Sequence, residues 1–235
     1  LERGLATVGD DFVKTELLLE LAELWDVSEP EPEEAEKAYQ QLIRAERDNP
    51  EIVLKASRAL ERIHTESGDD AALARDLRRQ LEFEEDEARR DELYPMLAAL
   101  FETKLQDADA AIELHQERLE NDPAQVDALA ALERLYASQN RWEPLVEVLE
   151  RRAELSDEEQ EQLGLARRVA EVHEARLGSV ENAISAHRDL ISRFGSDEAS
   201  LAALTRLYRQ TERWPELLEI TDLRAVDADD PERRT

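Results

Sequence analysis

The sequence predicts an all-α fold, a right-handed α-solenoid of about six antiparallel helical hairpins. The composition supports this prediction, because the 235 residues include only six Gly and eight Pro and are rich in the helix formers Ala, Leu, Glu and Arg. The second observation is an apolar pattern that recurs at equal spacing, with Leu60, Leu132 and Leu204 at one position of three copies. Such a period is typical of stacked repeats, in which each unit buries its apolar face against its neighbours.

The repeat is clearest where a short helical pattern is followed by a tryptophan. Residues 132–136 read Leu-Glu-Arg-Leu-Tyr and precede Trp142, and residues 204–208 read Leu-Thr-Arg-Leu-Tyr and precede Trp214. An earlier copy, residues 60–64, reads Leu-Glu-Arg-Ile-His. Three copies in one register indicate a repeat array rather than a single globular core.

The apolar stripes divide the chain into units of two hairpins each, a superrepeat of about 72 residues. In the first unit Leu17, Leu21 and Leu24 share one face of a predicted helix. The predicted segments are the end of a preceding unit (1–13), unit one (14–88), unit two (89–160), unit three (161–228) and the start of a further unit or a tail (229–235). We therefore expect a piece of a longer array. Between Ile43 and Leu60 unit one holds a few extra residues, which we interpret as a loop insertion.

The second hairpin of each unit resembles the tetratricopeptide repeat family. That family has large apolar residues along its first helix, aromatic residues near the end of that helix and near the start of the second, and a small or apolar residue soon after. Leu129, Leu132, Tyr136, Trp142 and Leu145 fit these positions, as do Leu201, Leu204, Tyr208, Trp214 and Leu217. In the first hairpin of unit two the second stripe, from Ala111, arrives one residue late, which predicts a longer turn.

Three residues depart from the family pattern. Glu133 and Thr205 stand where the first helix usually has a small residue, and Arg152 replaces a small residue of the second helix. Related helical-hairpin repeats, such as the RNA-processing half-repeats, therefore remain an alternative.

Charge and composition disfavour several partners and compartments. The formal net charge is -28, whereas nucleic acids and anionic membrane surfaces attract basic proteins, so we expect neither as a partner. The absence of Cys removes disulfides and thiolate metal sites. No apolar run reaches the roughly 20 residues of a membrane-spanning helix and no signal peptide is visible, which favours the cytoplasm.

No motif predicts catalysis, metal binding or a cofactor. The four histidines (His64, His115, His173 and His187) occupy repeat positions where other copies have aromatic rings, so we interpret them as packing residues. The 58 acidic residues produce many close carboxylates, and no pair stands out. Trp142 and Trp214 could form stacking platforms for a ligand, but we predict that they pack between adjacent hairpins.

The best candidates for binding are Arg62, Arg134 and Arg206, which share one repeat position. The family resemblance implies that the first helix of each hairpin lines a concave groove. The implied groove residues are Lys55, Arg58, Arg62, Met96, Ala130, Ala131, Arg134, Arg167, Arg168, Arg206 and Arg209. Because guanidinium groups suit carboxylates, the groove would take acidic groups.

The alternative for these arginines is pairing with carboxylates of the array itself. Four-residue spacing gives such a partner only to Arg62, from Glu66, so the other two would have to reach an adjacent helix. The sequence thus predicts a non-catalytic protein–protein interaction scaffold whose partner is a protein, or a peptide or helix with acidic groups. The alternative function is self-assembly as a homo-oligomer through the terminal hairpins.

Overall fold

The computed structural model describes residues 11–28 and 31–229. Within these residues there are twelve α-helices and no strand, which confirms the predicted all-α fold. The helices are α1 (Asp11–Glu23), α2 (Pro32–Ala45), α3 (Pro50–Ser67), α4 (Asp70–Phe83), α5 (Glu87–Leu100), α6 (Ala108–Asn121), α7 (Val126–Ser138), α8 (Trp142–Leu155), α9 (Glu159–Ala175), α10 (Val180–Phe194), α11 (Glu198–Gln210) and α12 (Trp214–Asp229). Short π-helical turns, Leu24–Ser28 and Phe101–Leu105, follow α1 and α5.

The chain forms two compact units, residues 1–117 and residues 118–235. In the first unit α1 packs against α2, α2 against α3, α3 against α4, and α4 against α5. In the second unit α7 to α12 pack in the same sequential way. Packing between helices that follow one another in the chain is what a hairpin array requires, since a single amphipathic hairpin cannot bury its own apolar face.

The first unit has two apolar cores. One lies where α1, α2 and α3 meet and contains Leu18, Leu42 and Leu60. The other lies where α4, α5 and α6 meet and contains Leu93 and Leu114. All five side chains are buried, and each contributes about 1.5–3 kcal/mol through the apolar surface it removes from water.

The second unit repeats this arrangement. Ile184 of α10 packs with Leu204 and Tyr208 of α11, and Leu217 of α12 covers the same core. Tyr208 is 1% exposed, so the aromatic residue that ends the short sequence repeat is a core residue.

The turns between helices also follow the repeat. Gly68, Asn140 and Glu212 follow α3, α7 and α11 at one position of the three copies, and have φ angles of 72°, 57° and 56°. Gln106 and Gly178, which share another repeat position, have φ angles of 53° and 61°. A left-handed residue after a helix reverses the chain direction. Glycine adopts this left-handed conformation without strain, whereas the conformation costs free energy for a residue with a side chain.

The two predicted irregularities have different outcomes. The longer turn in the first hairpin of unit two coincides with the π-helical turn Phe101–Leu105, which accommodates an extra residue. The interpretation of a loop insertion between Ile43 and Leu60 is wrong. Helix α3 has 18 residues where α7 has 13, so the extra residues continue the helix.

The predicted boundaries of the repeat units stay a prediction. The structure does not describe residues 1–10 and 230–235, so most of the two terminal segments assigned from the sequence lies outside the described residues. Across the described helices, none combines the length and the apolar character needed to cross a bilayer.

Candidate functional site

Three cations form a row along one face of α3. Lys55, Arg58 and Arg62 are spaced by three and four residues, which places them on the same side of the helix. Their side chains are 54%, 51% and 47% exposed. We call these three residues the α3 row.

Each cation of the α3 row has a carboxylate partner on a neighbouring element. Lys55 Nζ lies 2.6 Å from Glu23 Oε1, and Arg58 Nη2 donates to Glu84 Oε2 at 2.6 Å. Arg62 bonds to Asp26 in the turn after α1. Arg62 Nη1 also donates to Glu66 Oε1 at 3.4 Å, the partner that the four-residue spacing predicts.

Asp26 connects three helical elements of the first unit. Besides Arg62 of α3, its Oδ2 accepts a hydrogen bond of 3.3 Å from the Tyr39 hydroxyl of α2. Burial raises the pKa of Tyr39, and the charge of Asp26 raises it further. The hydrogen bond to Asp26 in turn raises the pKa of Arg62. Asp26, Tyr39 and Arg62 therefore form a compact polar contact, which we call a carboxylate node.

The second unit has an equivalent node around Glu174 of α9. Glu174 pairs with Arg206 of α11, and its Oε2 lies 3.7 Å from Nε2 of His187 on α10. The Nδ1 atom of His187 lies 3.1 Å from the Ser200 hydroxyl. Burial lowers the pKa of His187, while Glu174 acts in the opposite direction. The arginine, the ring and the carboxylate occupy the same repeat positions as in the first node.

The carboxylate of the node has a fixed position in the sequence repeat. Asp26, Glu102 and Glu174 each directly follow the aromatic or histidine ring that ends the apolar stripe of the first helix. Glu102 contacts the histidine at the matching position, with its Oε1 3.9 Å from Nε2 of His115. A carboxylate at one fixed position in three copies indicates that each copy repeats the same contact with the ring of Tyr39, His115 or His187.

The other predicted groove residues lie on the surface of their own units. Arg167 Nη2 donates to Asp197 Oδ1 at 2.6 Å, and Arg168 pairs with Glu133. Met96 is 44% exposed, and Arg134 and Arg209 are exposed. The structure therefore shows intramolecular ion pairs for Lys55, Arg58, Arg62, Arg167, Arg168 and Arg206.

Two of the three departures from the family pattern, Glu133 and Arg152, belong to a polar network in the second unit. Glu133, only 9% exposed, accepts from Arg152 of α8 and from Arg168 of α9. Arg152 also donates to Glu161 at 3.0 Å. A large acidic and a large basic residue thus replace two small residues together, and their charges compensate each other. In the first unit Glu61 and Gln80 hold the repeat positions of Glu133 and Arg152, and they are hydrogen bonded at 2.7 Å.

Three of the four histidines occupy the predicted packing positions. His64, His115 and His187 are 4%, 7% and 6% exposed, whereas His173 is half-buried. The sequence did not predict that the three buried rings would also contact carboxylates. No group of His, Asp and Glu suitable for a metal ion occurs in the described part of the chain.

The prediction for the tryptophans is right for Trp142 and wrong for Trp214. Trp142 is half-buried, and the Arg176 guanidinium lies 4.9 Å from the centre of its ring. Trp214 is 55% exposed. Helix α9 packs against α8 and Arg176 follows α9, while the described contact of α12 is with α11.

These features define a helical-hairpin repeat protein whose surface carries recurrent polar contacts. Residues 128–163, which comprise most of α7, all of α8 and the start of α9, match the tetratricopeptide repeat family. In this segment the chain is similar to a tetratricopeptide repeat, and its described residues form helical hairpins throughout. For residues 128–163 the match favours the tetratricopeptide repeat over the RNA-processing half-repeats.

Solved structures resemble the chain at low sequence identity. A MamA protein is 16% identical with a TM-score of 0.37, and the match covers 76% of this chain and 90% of that chain. A tetratricopeptide repeat protein from Parabacteroides merdae is 16% identical with a TM-score of 0.37, over 88% and 77%. PilW, a type IV pilus biogenesis factor, is 14% identical with a TM-score of 0.37, over 93% and 96%. No curated protein matches the sequence.

Proposed function

We propose that this chain is a non-catalytic protein–protein interaction scaffold that binds acidic side chains of a partner peptide or helix. The observation that carries the proposal is the α3 row, in which three cations point from one helix face and remain about half-exposed. In the second unit Arg206 and Arg209 occupy one face of α11, and the side chain of Arg206 is 64% exposed. Arg134, at the position of Arg62 and Arg206, belongs to the same proposal.

The intramolecular ion pairs leave room for a partner. An arginine has five N–H donors, and Arg58 uses only one in its contact with Glu84. Glu84 and Asp26 are only 7% and 10% exposed and need their arginines, so a partner carboxylate would share the half-exposed guanidinium groups and leave the internal pairs in place. The net charge of -28 does not prevent this, because ordinary salt screens charges beyond about 8–10 Å.

Charge reversal of the α3 row tests the proposal. The probe is a fluorescently labelled helical peptide with Glu on one face and Leu on the other. A control peptide with Gln in place of every Glu reports binding that is independent of charge. Replacing Lys55, Arg58 and Arg62 by Glu should weaken binding of the Glu peptide by at least about tenfold, since charge-assisted hydrogen bonds are lost.

A matched control changes the same number of charges elsewhere in the first unit. Lys37, Arg47 and Arg78 are 60%, 81% and 49% exposed and lie outside the α3 row. Their replacement by Glu should weaken binding by less than about threefold. Equal losses in the two triple variants would show that only the total charge matters, and would refute the proposed binding face.

A second candidate function is self-assembly, and the exposed face of α12 favours it. Trp214 and Leu218, four residues apart on α12, are 55% and 65% exposed. Large exposed apolar patches commonly mark interaction sites. The proposed occupant is a second copy of the chain, whose helices would pack against α12 as α9 packs against α8. Light scattering at several concentrations tests it: a mass that stays monomeric throughout would exclude self-assembly, and W214S/L218Q should abolish any increase.

A further inference from the structure

We propose that the first unit contains a binding site for a phosphoryl group, in a cavity between α2, α3 and α4. The cavity has a volume of about 140 Å³, and Arg44, His64, Arg75, Asp76 and Arg79 line it. His64 lies on the face of α3 opposite the α3 row, because the helical repeat places it about half a turn away. The site therefore does not depend on the proposed function.

The charges around the cavity favour a dianion. Arg79 donates to Asp76 at 3.0 Å, and this carboxylate also contacts His64 Nδ1 at 2.5 Å. Arg75 donates through Nε to the Ala71 carbonyl at 3.3 Å, and within the described residues neither Arg75 nor Arg44 forms an ion pair. Three arginines and one aspartate leave two positive charges on the lining, which matches the charge of about -1.5 to -2 on a phosphoryl group at neutral pH.

The cavity also contains unused hydrogen-bonding capacity. His64 is 4% exposed, and its Nε2 has no hydrogen-bond partner among the described residues. An oxygen of Glu36 lies 3.4 Å from this atom. Nε2 of His187 is likewise buried beside a carboxylate without a hydrogen bond in the described part of the chain, so Nε2 of His64 offers hydrogen-bonding capacity but the arginines carry the proposal.

Comparison of the repeat copies shows that stacking does not require these side chains. Where the first copy has Arg44, His64, Arg75 and Asp76, the second has Glu120, Tyr136, Glu147 and Val148, and the third has Ser192, Tyr208, Glu219 and Ile220. A structural role in hairpin packing would recur in the other copies. Arg79 is retained as Arg151 in the second copy and is Leu223 in the third, so the combination of three arginines occurs in the first copy alone, although Arg75 and Arg79 repel each other at four-residue spacing.

Guanidinium geometry explains the preference for a phosphoryl oxyanion. The planar N–H fork of arginine matches phosphate oxygens in a bidentate way, and two helices contribute forks to the same cavity. A monocarboxylate has the same fork geometry but leaves one of the two positive charges uncompensated.

Calorimetric titration with inorganic phosphate tests the site, with acetate at the same ionic strength as the comparison. Phosphate should bind at one site per chain, and acetate should bind at least about tenfold more weakly. A phosphoserine peptide in a second arm identifies the source of the group. Binding of the peptide at least about tenfold tighter than inorganic phosphate supports a phosphorylated partner, and equal binding supports a small phosphorylated ligand.

Two charge-matched variants of α4 make the test specific. R75Q removes a lining cation, whereas R78Q removes a cation of the same helix that pairs with Glu117 at 2.6 Å and does not line the cavity. R75Q should weaken phosphate binding about tenfold and R78Q by less than about twofold, and circular dichroism verifies that both variants are folded. Equal effects of the two variants, no phosphate binding by the unmodified chain, or acetate binding as tight as phosphate would each overturn the proposal.

Discussion

Replacement of Glu133 by Ala tests the polar network of the second unit. The side chain of Glu133 is 12% exposed and accepts from Arg152 and Arg168. The substitution removes both contacts at once. The guanidinium of Arg152, which is 19% exposed, then keeps only its contact with Glu161 at 3.0 Å.

The structure sets the expected size of the effect. Breaking a fully buried ion pair costs about 3–5 kcal/mol, because a charge is left without a partner. Here Arg168 is 42% exposed and can turn to solvent, and Arg152 retains Glu161, so we expect E133A to lower the free energy of unfolding by about 2 kcal/mol. The double variant E133A/R152A should cost less than the sum of the single variants, with a coupling energy of about 1 kcal/mol.

Urea unfolding followed by circular dichroism measures these differences. The control is E161A, which removes a partner of Arg152 whose side chain is 42% exposed and should cost less than about 1 kcal/mol. If E133A destabilises the protein no more than E161A does, the buried contacts of Glu133 do not add to the free energy of unfolding, and the reasoning is refuted. Additive single variants would show that Glu133 and Arg152 do not compensate each other.

Three further predictions concern the core, the turns and pH. L93A should lower the free energy of unfolding by about 2–5 kcal/mol because Leu93 is fully buried, whereas M96A, on the exposed side of α5, should change it by less than about 0.5 kcal/mol; similar losses in urea unfolding would contradict the described packing. E212G should raise the free energy of unfolding by about 0.5–1 kcal/mol, since Glu212 has a φ of 56°, and a lower urea midpoint would argue against the left-handed turn. Burial lowers the pKa of His187 below 6.5, so the unfolded chain binds more protons and stability falls as the pH drops below that value; H187F should reduce this slope in urea unfolding between about pH 7 and pH 5, and an unchanged slope would refute the assignment.

The hairpins could be predicted from the sequence because two independent periods agree. Leu60, Leu132 and Leu204 share one position of the long repeat and also lie on helical apolar stripes, and all three are buried. Stripe positions depend only on local geometry and on burial, both of which a repeated pattern records. The exact helix lengths could not be predicted in the same way, as the extra residues within α3 show.

The partners of the predicted arginines could not be derived from spacing within one helix. Arg62 and Arg206 pair with Asp26 and Glu174, which belong to the preceding hairpin in each case. Such pairs depend on how neighbouring helices pack, and a sequence with 58 acidic residues contains too many equivalent candidates. Comparison of the three repeat copies reduces the number of candidate carboxylates, because Asp26, Glu102 and Glu174 each directly follow an aromatic or histidine residue.

The carboxylate nodes have a consequence for how binding and internal geometry are coupled. Asp26 holds Tyr39 of the first hairpin and Arg62 of the second hairpin of the same unit. A ligand that draws Arg62 away would loosen the connection between these hairpins. By thermodynamic reciprocity, if the ligand weakens the contact between Asp26 and Arg62 by some factor, formation of that contact lowers the affinity for the ligand by the same factor. Each node thus couples the binding of a partner to the contact between two neighbouring hairpins.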